Sequence, residues 1–81
     1  MIELHEMSKE ERRAKFVSLA EKRVTRALRD IRLIGNLSNT ANYNYSPEDV
    51  RKIHSSLKRA LDEMKMRFET KGSEKEDLFK L

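Results

Sequence analysis

Apolar residues recur at Val17, Ala20, Val24, Ala27, Ile31 and Ile34, in alternating steps of three and four. That spacing returns each side chain to one side of a helix, and Phe16 and Leu28 widen the stripe to roughly 120° of the circumference. Ser8 and Glu11 stand ahead of it with capping-box spacing, in which each side chain satisfies a backbone N–H left unpaired by the first turn. No Gly or Pro interrupts Met7 to Ile34. Gly35-Asn36, two residues that tolerate a left-handed conformation, mark the expected stop. The pattern predicts a helix over about 9–34.

A second stripe runs through Val50, Ile53, Leu57, Ala60, Leu61, Met64 and Phe68. Ser46-Pro47-Glu48-Asp49 opens it: Ser46 caps, Pro47 suits the first helical position, and the two acids oppose the positive end of the helix dipole. Gly72 is the expected end, with Lys65, Arg67 and Lys71 where cations are favoured. This predicts a helix over about 47–70. The remainder, 71–81, reads as a frayed tail, although Ser73 and Glu76 repeat the capping spacing and Leu78, Phe79 and Leu81 offer apolar contacts. Between the helices, 35–46 is a polar connection, with four Asn and two Tyr among the eleven residues Gly35 to Tyr45. That is long for a plain helical hairpin. Leu33 and Leu37 lie off the main stripe, and Leu37 is expected to tuck under the connection.

Two stripes and no strand-like alternation point to an all-α chain, an antiparallel two-helix hairpin forming a single domain over 1–81. A lone hairpin is a poor core, because each helix touches one other. Pairing two hairpins as a homodimer, in a four-helix bundle, encloses the same residues on more sides, and Ala20, Ala27 and Ala60 let helices approach closely. The rival arrangement is a monomer whose termini fold back over the open side.

Composition sharpens this picture. The chain has 81 residues, 40% of them charged and 37% hydrophobic, which allows one small domain and argues against wholesale disorder. A core this size rarely supplies more than ~3–5 kcal/mol, another reason to expect a partner. The longest apolar runs are two residues, as at Leu33-Ile34, far from the ~20 a bilayer span needs. The segment Met1 to Glu11 shows no cleavable apolar stretch, so no secretory or mitochondrial address is read. The chain has no Cys, which fits a reducing cytoplasm.

Charge carries the clearest hint of chemistry. Between Arg12 and Arg32 eight basic residues face two acids, Glu21 and Asp30. Lys15, Lys22, Arg26 and Arg29 fall within about 60° on a helical wheel, opposite the Val17/Val24/Ile31 stripe, with Arg23 at the edge. Such a row can run along phosphates, which Arg grips in a bidentate way. The same charges also serve as a solvated face that keeps a small protein soluble. No aromatic interleaves the row, which weakens base stacking, and no zinc-finger, RNA-recognition or helix-turn-helix pattern is present. A second candidate surface is the connection, where Asn36, Asn39, Tyr43 and Tyr45 offer amides and amphipathic rings suited to a protein interface. These groups equally serve to satisfy local backbone and cover helix ends.

Catalysis finds no constellation. His5 lies near the start of the chain and His54 at the rim of the second stripe, while Ser38, Ser55 and Ser56 have no base at usable spacing. No His/Asp/Glu cluster has metal-ligand spacing and no Gly-rich phosphate loop exists, so no enzyme, metal or cofactor is expected.

The block Arg23-Val-Thr-Arg-Ala-Leu-Arg-Asp-Ile-Arg-Leu-Ile-Gly-Asn-Leu-Ser-Asn39, with Tyr43-Asn-Tyr45 and Glu48-Asp-Val-Arg-Lys-Ile53, resembles a family of short uncharacterised bacterial proteins found in phage- and plasmid-type contexts. The resemblance spans about Phe16 to Phe68, and "RLIGNLSN" is its distinctive phrase. It implies no activity and transfers no functional residue; it implies a mobile-element accessory protein. The expectation is therefore a non-enzymatic helical module that engages nucleic acid through the basic face of the first helix. The alternative is an inhibitor or adaptor that holds a host or phage protein through the Asn/Tyr connection. A third reading is a purely structural oligomer.

Overall fold

The computed structural model describes residues 8–71. The readings placed on His5, Gly72, the Ser73/Glu76 pair and Leu78, Phe79 and Leu81 lie outside the described residues. Two α-helices, α1 (Lys9–Gly35) and α2 (Pro47–Glu69), are joined by a 3-10 turn at Asn36–Ser38 and an irregular stretch, with no strand among the described residues. The chain divides into two units, the first ending at Tyr43 and the second beginning at Asn44.

In the first unit, α1 begins with a complete capping box. The Glu11 N–H donates to Ser8 Oγ at 3.0 Å and the Ser8 N–H donates to Glu11 Oε1 at 2.9 Å. Two of the orphan donors of the first turn are thereby satisfied. The helix then runs for 27 residues, about 40 Å at 1.5 Å per residue. Its end differs from the left-handed stop expected at Gly35-Asn36. Gly35 sits at φ −60°, ψ −28° and Asn36 at φ −67°, ψ −14°, both right-handed. The Asn36 N–H turns to the carbonyls of both Arg32 and Leu33, the shared bond by which an α-helix tightens into a 3-10 turn. No reversal of handedness is then needed.

Asn39 organises the stretch beyond the 3-10 turn. Its Oδ1 accepts the Ala41 N–H at 3.0 Å, an Asx turn that imitates a backbone turn. Its carbonyl accepts the N–H groups of Asn42 at 3.0 Å and Tyr43 at 2.9 Å. Leu37 is 47% exposed, so the cover expected over it is not made: the turn closes through the hydrogen bonds of Asn39 and leaves this side chain out.

In the second unit, Ser46 and Asp49 form a reciprocal box, Asp49 N–H to Ser46 Oγ at 3.1 Å and Ser46 N–H to Asp49 Oδ2 at 2.9 Å, with Pro47 in the first turn. An Asp thus fills the position usually held by Glu or Gln. At the far end the Thr70 N–H donates to the Met66 carbonyl at 2.9 Å and the Thr70 hydroxyl to the Arg67 carbonyl at 3.2 Å. Lys71 takes the left-handed conformation, φ 57°. A side chain there meets the steric cost that Gly avoids.

Among the described residues none is buried, and Val17, Leu19, Ala20 and Ile34 are half-buried. The α1 stripe continues through exposed Val24, Leu28 and Ile31, and the α2 stripe through exposed Ile53, Leu57 and Met64. Each such side chain is worth ~1.5–3 kcal/mol when fully covered, so both stripes retain most of their driving force for association.

Candidate nucleic-acid interface

Lys15, Lys22, Arg23, Arg26 and Arg29 all lie on α1 and all are exposed. Four of them share a sector of about 60°: Lys15, Lys22, Arg26 and Arg29. From Lys15 to Arg29 the row covers about 21 Å of helix. A shallow open depression on this face is lined by Ser18, Glu21, Lys22, Thr25, Arg26 and Arg29. Lys15 lies a turn beyond it and Arg23 lies towards the apolar stripe. Glu11, the acid at the head of the row, is held by the Ser8 N–H.

How each helix handles its charge separates the two. α1 holds nine basic and four acidic residues, α2 six and five. In α2, Lys58 pairs with Asp62 at 3.4 Å and Lys65 with Glu69 at 3.9 Å, each one turn apart. Among the described residues no such pair forms along the α1 row. Lys22 and Arg26 instead stand four residues apart with the same sign, and Arg26 and Arg29 three apart, arrangements that destabilise a helix by ~0.2–0.5 kcal/mol each. Like charges retained on one face create a standing attraction for an anion.

Arg13 belongs to the same basic run in sequence but is used differently. Its guanidinium lies over the Phe16 ring, 5.7 Å from the centroid. It covers part of the stripe at cation–π distance. Two further features were not foreseen from the sequence. Arg51, Lys52 and Arg59, with Glu48, Ser55 and Ser56, line a second depression on α2; the spacing of one and eight among the three cations was the available signal. Leu33, 56% exposed, stands four residues beyond Arg29 and falls in the basic row rather than in the stripe.

The residues proposed for a protein surface are divided. Asn36, Asn39 and Tyr43 belong to the first unit and Tyr45 to the second. Asn39 commits its side-chain oxygen to the local turn, whereas Tyr43, with its backbone N–H held, is 49% exposed. Among the described residues no three His, Cys, Asp or Glu side chains gather as a metal site, and no helix is long and apolar enough to cross a membrane.

Comparison of the chain with protein-family models, curated proteins and solved structures finds no match. The geometry of the helices is therefore the ground for assigning a role.

Proposed function

We propose that this protein is a non-enzymatic helical binding module of the cytoplasm that engages nucleic acid through the basic face of α1. The observation that carries this reading is the unneutralised row Lys15, Lys22, Arg26 and Arg29, exposed on the side of the helix opposite its apolar stripe. A helix kept for solubility alone gains from interspersed signs, as α2 has them. In the proposed assembly the two stripes close an antiparallel hairpin, and two hairpins form a homodimeric four-helix bundle that turns the basic rows outward. The likeness of the RLIGNLSN block supports placing the protein among mobile-element accessory proteins.

Neutralising four phosphates releases counterions and sets a salt slope of about −3.6 in log–log form. Affinity should then fall on the order of a hundredfold between about 50 and 200 mM salt. Arg26→Glu with Arg29→Glu should abolish binding while circular dichroism shows the helices intact. Equal binding by the double variant, or a flat salt response, would reject the assignment.

The pinned backbone and exposed ring of Tyr43 favour a second reading, a protein-binding surface at the connection. Under it, Tyr43→Ala and Tyr45→Ala each release a specific protein partner without loss of helicity. Partner capture that ignores both changes would exclude it.

A further inference from the structure

Resting on the nucleic-acid reading, we propose that α1 lies in the major groove of B-form duplex DNA, with its basic row turned into the groove and Leu33, in the same sector, against a base edge. The position of the row relative to the stripe decides among anionic partners. A helix that lies on a lipid surface does so through its apolar face, which sinks into the headgroup boundary while its Lys and Arg stay on the polar face. Here Lys22 and Arg29 lie opposite Val17, Val24 and Ile31, so in the proposed bundle the stripe is taken up by the other helices and only the basic side is left to meet a partner. A partner that meets the basic side alone is an anionic surface, and the phosphate backbone of nucleic acid is one.

Among nucleic acids, three features of this face select the DNA duplex. First, the row carries no aromatic side chain, whereas single strands are held chiefly by stacking on aromatic rings. Second, the row is one uninterrupted helical ridge of about 21 Å, and the B-form major groove, ~12 Å wide, admits an α-helix. The A-form groove of duplex RNA is too deep and narrow for side chains to read. Third, the row is not purely cationic. Ser18 and Thr25 lie in the same depression as Lys22, Arg26 and Arg29, supplying short hydrogen-bonding groups suited to base edges. Leu33 adds an exposed apolar side chain one turn past Arg29. Phosphates have no use for a leucine, but the thymine C5-methyl, found only on the major-groove side, does.

The test measures fluorescence anisotropy of the full chain on four probes of about 20 base pairs and one mixed sequence, long enough to span the row. These are duplex DNA, the same DNA with uracil in place of thymine, duplex DNA with bulky cytosine 5-substituents filling the major groove, and duplex RNA; the single strand serves as a fifth probe. Tightest binding is expected for unmodified DNA, at least tenfold weaker binding for RNA, single strand and the filled groove, and a severalfold loss with uracil. Leu33→Ala should remove the uracil effect and leave the salt slope unchanged. Similar affinity for DNA, RNA and the filled groove, still lost in the Arg26→Glu/Arg29→Glu variant, would overturn the groove assignment and leave the broader reading standing. Binding to none of the probes would end both. A uracil effect that persists in Leu33→Ala would overturn the role of that residue.

Discussion

Gly35 illustrates how a single backbone angle reverses the meaning of a residue. As a left-handed helix terminator it is nearly irreplaceable, because a Cβ there strikes the following carbonyl. At φ −60° within the right-handed run from α1 into the 3-10 turn, it is a weak point, since Gly surrenders more chain entropy than Ala on folding. A Cβ built on Gly35 meets nothing within 4 Å. Gly35→Ala should therefore stabilise the protein by about 0.4–1 kcal/mol, read as a rise in the urea midpoint with unchanged slope. A loss of stability would show that the left-handed form is needed after all. The Ser8/Glu11 capping box stands on firmer sequence ground, because it is fixed by a spacing of three and by contacts that never leave one helical turn, whereas Asp49, expected only to oppose the helix dipole, also closes a second box with Ser46.

Considered as elements, α1 and α2 are built alike and charged differently. Both have an acidic first turn and one apolar stripe, yet α2 pairs its charges a turn apart while α1 stacks like on like. Lys22 offers a way to separate stability from binding. Lys22→Glu places a carboxylate four residues ahead of Arg26, the favoured order for a helical ion pair, and relieves the repulsion between the two cations. Helix stability should rise by a few tenths of a kcal/mol, seen as a thermal midpoint a degree or more higher. Nucleic-acid affinity should fall severalfold in the same protein. Unchanged affinity would mean that Lys22 has no binding role, and a fall in stability would overturn the repulsion between Lys22 and Arg26. The stripe and the row were legible because a helix converts sequence spacing directly into angle. Leu33 was legible only as a residue off the stripe; its place in the basic row comes from the same arithmetic carried one turn further.

For the whole molecule, the exposed seams set the expectation. Val24 is 55% exposed and Leu57 38%, and a molecule that finished its folding alone would have little reason to carry both stripes uncovered. Sedimentation equilibrium should show two copies associating at micromolar concentration, with a thermal midpoint that climbs as the protein is concentrated. Val24→Asp and Leu57→Asp should each shift the protein towards monomer and broaden its melting. A sharp, concentration-independent transition in a single-copy species would refute the shared core. Because Lys22, Arg26 and Arg29 lie on the other side of α1, neither Asp variant touches the row, and weakened binding in them would reflect the loss of paired rows.

What the amino-acid sequence determined by itself lies within the helices: their two spans, the residues that cap their N-termini, the stripes and the basic face. These depend on interactions three or four residues apart, which the chain cannot satisfy in another way at similar cost. What the three-dimensional structure decided was how the chain leaves those helices. Right-handed Gly35 continues into the 3-10 turn, Asn39 gathers the turn after it, and Lys71 takes a left-handed angle. At such points several backbone conformations lie within about 1 kcal/mol of one another. The hydrogen bonds that select among them join groups whose pairing becomes visible only once the path of the backbone is known.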